Sequence, residues 1–233
     1  QFLTDSKWLH AILITVAKTV IGATLTVLFT CMVAYGLSMK GLLFKKTYNV
    51  ILLICMYFSG GLIPYYLTIM SYGLLDTFLV YVIPTMVSTY YCILAVSFFK
   101  EIPASICESA RLDGAGELTI FFRFVLPLSK ALIATLALFA AVSQWNSWTD
   151  TAFYTPGNKS LKTLAFLLRE VIVQNQTAAV SRETMMHAAQ DLHTTSSSVQ
   201  MAAMIIAVLP ITCVYPFLQK YFVKGIMLGA VKG

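Results

Sequence analysis

The sequence predicts an all-α polytopic membrane protein, and three observations support that prediction. Hydrophobic residues make up 58% of the chain and charged residues only 11%, whereas soluble domains carry about 25% charged residues. The mean hydropathy is +0.79. Five apolar stretches each have the length of about 20 residues that a helix needs to cross a hydrocarbon core of about 30 Å. A single long charge-rich segment, residues 101–127, interrupts this apolar pattern.

The position of the charges indicates membrane topology rather than nucleic-acid binding. The net charge is +6, and Lys and Arg are in excess in the linkers that follow the first, third and fifth apolar stretches. Cytoplasmic loops of membrane proteins carry this excess. We therefore expect segment 101–127 and the C-terminus in the cytoplasm, and no nucleic-acid partner. The five cysteines show no CxxC spacing, so neither a disulfide framework nor a metal site is predicted.

The predicted spans define a single transmembrane domain that covers residues 1–233. They lie near residues 8–37, 50–70, 77–99, 131–148 and 199–222. The segment between the fourth and fifth spans, residues 149–198, is long enough to form an extracytoplasmic loop. Because five spans with a cytoplasmic C-terminus place Gln1 outside, we expect one further helix upstream of Gln1.

The first span is rich in Thr, Gly and Ala, which indicates a face for close helix packing. Lys18 is the only charge deep in any predicted span. An intramembrane charge is a functional candidate by default, but a lysine near a helix end can also extend to the interface or pair with another helix. Two interpretations of Lys18 therefore stay open. In the first, Lys18 extends to the interface or pairs with another helix; in the second, it has a role in a cavity.

Glycine and proline predict bends in the second and third spans. The second span contains the pair Gly60-Gly61 followed by Pro64, and the third contains Pro84. These residues weaken or interrupt the helical hydrogen-bond ladder. Tyr90, also in the third span, could present its hydroxyl to a transport cavity or pack in the interior.

The fourth span ends in aromatic and amide side chains. Trp residues are frequent at membrane boundaries; indole faces also stack on sugar rings, and amides bind sugar hydroxyls. Beyond this end, the apolar period predicts a helix over residues 161–173. The polar stretch 181–198 is a candidate docking surface for an external partner. The candidates for sugar contact are Gln144, Trp145, Asn146 and Trp148.

The charge-rich segment has the boundaries of a short helix that cannot span a membrane. Pro103 is suited to its first turn and Gly114 to a left-handed cap at its end. Glu108 and Arg111, three residues apart, are placed to pair with each other. The residues alone leave two readings open, a solvated linker and a helix that docks into a groove of another protein.

The charge-rich segment resembles the EAA loop of permease subunits of ATP-binding-cassette (ABC) importers. Glu108, Ala110, Gly114, Leu126 and Pro127 match the family pattern at the family's spacing. Ser109 stands where Ala is usual and Phe124 where Ile is usual. The flanking residues, including Arg111, Asp113 and Ala115, are similar to the carbohydrate branch of these permeases. The likeness covers nearly the whole chain.

The resemblance implies the fold of a type I importer transmembrane domain in a bacterial plasma membrane. It implies a second homologous permease, two cytoplasmic ATPase subunits that bind ATP and Mg²⁺, and an external solute-binding protein that delivers a carbohydrate. Glu108 would meet an arginine of an ATPase subunit. This chain has no phosphate-binding loop of its own, so no cofactor and no catalytic residue is expected in it. The residues expected to couple to the ATPase are Glu108, Ser109, Ala110, Arg111, Asp113, Gly114 and Ala115.

Three alternatives remain at this stage. A permease of the same type for another solute, such as an amino acid, would carry the same loop. A secondary carrier would have paired ionisable groups near mid-membrane and internal repeats, which the sequence lacks. A membrane-embedded enzyme would have a catalytic motif such as HExxH or GxSxG, and none occurs.

Overall fold

The computed structural model describes residues 6–173 and four further helical residues, Met201, Ile205, Val208 and Thr212. This described part of the chain contains helices and no strand, which confirms the all-α class. The helices are α1 (Ser6–Ser38), α2 (Lys45–Tyr57), α3 (Leu62–Ser71), α4 (Thr89–Glu101), α5 (Ala104–Leu112), α6 (Glu117–Ile120), α7 (Leu126–Leu128), α8 (Lys130–Asn146), α9 (Thr149–Tyr154) and α10, from residue 164 to the end of the described range at 173.

Helix α1 is the central element of the described fold. Its 33 residues form the one described helix that is long and apolar enough to cross a membrane alone. It packs along both α8 and α4, and the residues it buries there are mostly small, which lets helix backbones approach closely. The packing face predicted from the Thr, Gly and Ala content is confirmed. It includes Ala11, Thr15, Gly22, Ala23, Thr26, Thr30 and Ala34.

The second predicted span is two helices rather than one. Helices α2 and α3 meet at an angle of 113°, and Gly61 at the break has a φ of +85°, a conformation that glycine adopts readily. The bend predicted from Gly60-Gly61 is therefore confirmed. No residue of α2 is buried, and its large apolar side chains, such as Ile54, are exposed. An exposed apolar surface of this size is suited to contact with lipid or with another protein.

The third predicted span is also bent, and a further bend lies between the charge-rich segment and the fourth span. Two 3₁₀ turns, Phe78–Tyr81 and Ile83–Thr85, precede α4 at an angle of 43°, and Pro84 lies in the second turn. The run Glu117–Leu128 meets α8 at 86° and contains a π-helical turn at Phe121–Val125. By length and composition the described residues give up to four spans if each bent pair counts as one.

The predictions for residues beyond 173 fall almost entirely outside the described part of the chain. Within the predicted fifth span, 199–222, the structure describes only the four helical positions given above. The predicted docking surface 181–198 lies outside the described residues. The span count of five and the upstream helix therefore stay predictions.

The core lies where α1, α4 and α8 meet the segment Glu117–Leu128. Its most buried members are small or aliphatic residues of the three helices together with Ile120 and Phe121. The end of the charge-rich segment is thus part of the same packed unit as the spans. A displacement of that segment would be transmitted to α1, α4 and α8, because close-packed interiors transmit strain.

Gly22 on α1 is a position where the close approach of two helices requires glycine. A Cβ there would lie 2.8 Å from Nε2 and 2.9 Å from Cδ of Gln144 on α8. Gln144 is only 5% exposed, and its amide nitrogen donates to Oγ1 of Thr85 at 2.8 Å. An added methyl group would therefore push against a side chain that is held in place.

We expect Gly22→Ala to lower the free energy of unfolding by about 1–3 kcal/mol, as overpacking of a filled interior does. The measurement is the thermal midpoint of the purified protein in detergent. Gly36→Ala is the matched control on the same helix, because a Cβ there has nothing within 4 Å and alanine favours helix. Equal midpoints for the two variants would contradict the close approach of α1 and α8.

Candidate functional site

Helix α5, in the middle of the charge-rich segment, has the boundaries that the sequence predicts. Pro103 immediately precedes its first residue, and Gly114 follows its end with a φ of +82°. The amide of Ala115 donates to the carbonyl of Ala110 at 2.9 Å, and the amide of Gly114 to that of Arg111 at 3.0 Å. These bonds close the helix with a left-handed cap.

Helix α5 contacts the rest of the chain through one side and leaves the other side exposed. Ala110 is its one buried residue and belongs to the core around α1, α4 and α8. Ala115 is half-buried, while the remaining predicted coupling residues are exposed. Leu112 on this side is 89% exposed. The exposed set is Glu108, Ser109, Arg111, Asp113 and Gly114.

Arg111 forms its ion pair with Glu117 and not with Glu108, so the predicted Glu108–Arg111 pair is wrong. Its Nε donates to Oε1 of Glu117 at 2.7 Å, and its Nη2 donates to Oε2 at 3.2 Å. Two-pronged contacts between arginine and a carboxylate are among the stronger hydrogen-bonded ion pairs. Glu108 is left exposed, with its carboxylate available to a partner.

Glu117 also links the segment to α1. The hydroxyl of Tyr35 donates to Oε2 of Glu117 at 2.7 Å. The hydrogen bonds from Arg111 and Tyr35 hold the pKa of the Glu117 carboxyl below its usual range. The stabilisation from this charge is present at neutral pH and is lost as pH falls through that lowered pKa. Tyr35 therefore joins the last turns of α1 to α6 directly, and to α5 through the ion pair of Glu117 with Arg111.

A groove of about 940 Å³ opens between α5, the end of α1 and the start of α2. Glu108 and Arg111 of α5 line it, together with Lys40, Lys45 and Lys100. Lys45 Nζ donates to the carbonyls of Ser38 and Met39 at 3.0 and 2.8 Å. The groove gives a second protein a concave surface beside the exposed side of α5.

The candidates for sugar contact do not converge on one cavity. Gln144 lines a polar recess between α1, α4 and α8. Trp145 packs against Leu164 and Leu168 of α10, and the indole of Trp148 is covered by the guanidinium of Arg169 at 3.5 Å. The other two are on the surface: the amide of Asn146 donates to the carbonyl of Val142 at 3.0 Å, and Tyr90 is 49% exposed. Their contact with a substrate stays a prediction.

Comparison with known proteins identifies the family of this chain. The family described as "Binding-protein-dependent transport system inner membrane component" matches residues 6–228. The chain belongs to this family. It is a permease subunit of an ABC importer and not an enzyme, which confirms the resemblance carried by Glu108, Ala110, Gly114, Leu126 and Pro127.

Individual relatives agree with the family. The permease is 37% identical to the polygalacturonan/rhamnogalacturonan transport system permease protein YtcP of Bacillus subtilis (strain 168), over 100% of this chain and 79% of that protein. It is 29% identical to the melibiose/raffinose/stachyose import permease protein MelC of the same strain, over 91% of this chain and 71% of that protein. The structure of a bacterial ABC transporter involved in the import of the acidic polysaccharide alginate superposes with a TM-score of 0.80 and 26% identity, over 95% of this chain and 77% of that one.

The permease contains a buried ion pair that the sequence did not reveal. Lys18 is fully buried, and its Nζ lies 2.9 Å from Oδ2 of Asp150 and 3.2 Å from the carbonyl of Ser147. The ring of Tyr81 lies 4.7 Å from the same nitrogen. Of the two interpretations of Lys18, the structure supports pairing with a neighbouring helix. Its partner is 132 residues away in sequence, so no local pattern could have identified it.

Proposed function

We propose that this permease imports an oligosaccharide or other carbohydrate that an external solute-binding protein delivers. One observation carries the proposal: the relatives that match most of the chain are named for saccharides of different size and charge, namely polygalacturonan and rhamnogalacturonan, the melibiose group and alginate. The alternative, a non-sugar solute such as an amino acid, has no such support.

The permease forms half of a translocation path in this proposal. A second, homologous permease supplies the other half, and the exposed apolar surface of α2 and α3 suits contact with lipid or with that subunit. Two ATPase subunits on the cytoplasmic side bind ATP and Mg²⁺ and drive the cycle. The C-terminus lies in the cytoplasm, as the distribution of Lys and Arg indicates.

Helix α5 is the proposed contact with an ATPase subunit. It presents Glu108 and Ser109 outward, while Ala110 anchors it in the core. Closure of the ATPases would move α5 as a unit, because Arg111 ties it to Glu117. Tyr35 carries the displacement from Glu117 into α1, and the packing of Ile120 and Phe121 carries it into α4 and α8.

The test is reconstitution of the complete transporter in lipid vesicles with its binding protein. Labelled oligosaccharides, neutral and uronate-containing, are offered with ATP inside or outside the vesicle as the orientation requires. Saccharide should stimulate ATP hydrolysis and accumulate, and amino acids should do neither. Stimulation by an amino acid and none by any saccharide would overturn the proposed substrate class.

A further inference from the structure

The groove beside α5 opens where three membrane segments end, and its lining is both basic and apolar. The last residues of α1, the first residues of α2 and the end of α4 all border it. Because these elements enter or leave the bilayer at this level, the groove lies beside the polar headgroups of one leaflet. Its volume of about 940 Å³ is near the upper end of the range of small-molecule sites.

The lining of the groove carries an excess of positive charge. Glu108 is its one acidic residue, against four basic ones, and of these Arg111 is already paired with Glu117. Within residues 6–173, the three lysines form no ion pair with a carboxylate. Like charges around one space repel each other, and an anion among them would relieve that repulsion. The lysines are Lys40, Lys45 and Lys100.

Lys45 is fixed in position and keeps the capacity to bind an anion. Its Nζ donates to the carbonyls of Ser38 and Met39 at 3.0 and 2.8 Å, at the end of α1. An ammonium group has three donors, so one N–H remains for a ligand. The contact also joins the start of α2 to the end of α1.

Exposed apolar side chains next to the lysines distinguish this groove from a site for a small soluble anion. Leu43 and Phe44, between Lys40 and Lys45, are 78% and 76% exposed. Phe44 has a φ of +57°, which bulky residues rarely adopt. Basic residues that flank exposed Leu and Phe are typical of segments that lie at the surface of an anionic membrane.

The apolar side of the groove continues onto α2. This helix buries no residue, and Val50, Ile51 and Ile54 are exposed along it, beyond Tyr48 at the edge of the groove. A phosphate group at the lysines and an acyl chain along α2 would use both parts of this surface. Basic pockets between membrane helices bind the headgroups of anionic lipids in this way.

We propose that this groove binds an anionic phospholipid of the surrounding leaflet. The phosphate accepts hydrogen bonds from Lys40, Lys45 and Lys100, and the acyl chains lie on Leu43 and the exposed side of α2. The lipid joins the linker between α1 and α2, the start of α2 and the end of α4 through one anion. None of the three lysines lies on α5, so the lipid site is adjacent to the proposed ATPase contact and distinct from it.

The test measures lipid binding to the complete transporter, purified in detergent and freed of its native lipid. Phosphatidylglycerol or phosphatidylcholine with the same acyl chains is titrated in, and bound lipid is counted by native mass spectrometry. We expect saturable binding of phosphatidylglycerol that is roughly tenfold or more tighter than that of phosphatidylcholine, since each lysine favours the anionic headgroup.

Two double variants locate this binding on the chain. Lys40→Gln with Lys100→Gln removes two unpaired charges from the groove, and should weaken one phosphatidylglycerol site roughly 25-fold, about fivefold for each lysine. Lys46→Gln with Lys130→Gln is the matched control. It removes the same charge from exposed positions at the same end of the helices but outside the groove, and should leave every site unchanged.

Thermal unfolding of the same complexes gives a second measurement. A ligand that binds only the folded protein stabilises it. Phosphatidylglycerol should therefore raise the thermal midpoint of the unsubstituted complex and of the control variant above the value in phosphatidylcholine. The groove variant should lose this difference between the two lipids.

Each outcome supports or overturns the lipid site. Equal affinity for the two lipids, or equal loss in the two double variants, would overturn it. Displacement of phosphatidylglycerol by inorganic phosphate would assign the groove to a soluble anion, and loss of ATPase subunits from the groove variant would assign it to the ATPase contact; both overturn the proposal. Loss of one site in the groove variant alone supports it. No measurement uses a saccharide, so failure of the proposed substrate class would leave the lipid site standing.

Discussion

Asp150→Ala is expected to destabilise the permease by about 3 kcal/mol or more. The substitution leaves the ammonium group of Lys18 fully buried without its counter-ion, and removal of one partner of a buried ion pair has costs of about 3–5 kcal/mol. The hydrogen bond from Ser147 is lost as well. A fall in the thermal midpoint of the purified protein in detergent, with less assembled transporter in the membrane, measures the effect.

Two controls isolate the buried charge as the cause. The double variant with Lys18→Met and Asp150→Ala should be more stable than Asp150→Ala alone, because it removes the unpaired ammonium group. Glu170→Ala breaks a pair with Lys162 in which both side chains are about one-third exposed, and exposed pairs contribute at most about 1 kcal/mol. If Asp150→Ala and Glu170→Ala lower the midpoint equally, the buried pair of Lys18 and Asp150 does not stabilise the permease more than an exposed pair does.

The local features of the fold were predictable because they depend on residues that are neighbours in sequence. Pro103 and Gly114 set the ends of α5 through their own backbone preferences, and Gly61 and Pro84 mark breaks in helices for the same reason. The lengths of the apolar stretches gave the class of fold. They could not show that the second stretch bends by 113°, since the angle depends on packing and not on composition.

The contacts between elements were not predictable in the same way. Glu108 is the nearest acidic residue to Arg111 on α5, yet Arg111 turns to Glu117, where Tyr35 also binds. A spacing of three residues shows that two side chains on one helix could pair. It does not show whether another element offers a better acceptor. Lys18 and Asp150 are a stronger example, because their meeting depends on how α1 packs beside the junction of α8 and α9.

Side-chain chemistry alone did not show where the predicted sugar-contact residues lie relative to one another. Trp145 and Trp148 are suited to sugar rings, but the structure places them against α10 and Arg169. Of the set, Gln144 does line the polar recess. Thr89 and Ser143, which line the same recess, were not identified from the sequence because single hydroxyls in a membrane span are common. Only the fold shows that these face one space.

Glu108→Lys is expected to abolish most saccharide uptake, with a loss of roughly tenfold or more, while insertion and assembly persist. Glu108 is exposed on α5 and has no ion pair within residues 6–173, so its replacement does not disturb the fold of this chain. At the proposed contact with an ATPase arginine, reversal of the charge would place like charges together, which has costs of several kcal/mol. ATP hydrolysis should continue without being stimulated by the loaded binding protein.

Glu101→Lys provides the matched control for this charge reversal. Glu101 is also exposed and belongs to the same charge-rich segment, but it ends α4 and lies outside α5. If the effect of Glu108→Lys arises from general electrostatics at the membrane surface, both variants should lose uptake equally. If α5 transmits the force of ATP binding, only Glu108→Lys should separate hydrolysis from uptake. Normal uptake by Glu108→Lys would refute the coupling role of that carboxylate and would favour the groove beside α5 as the contact with the ATPase.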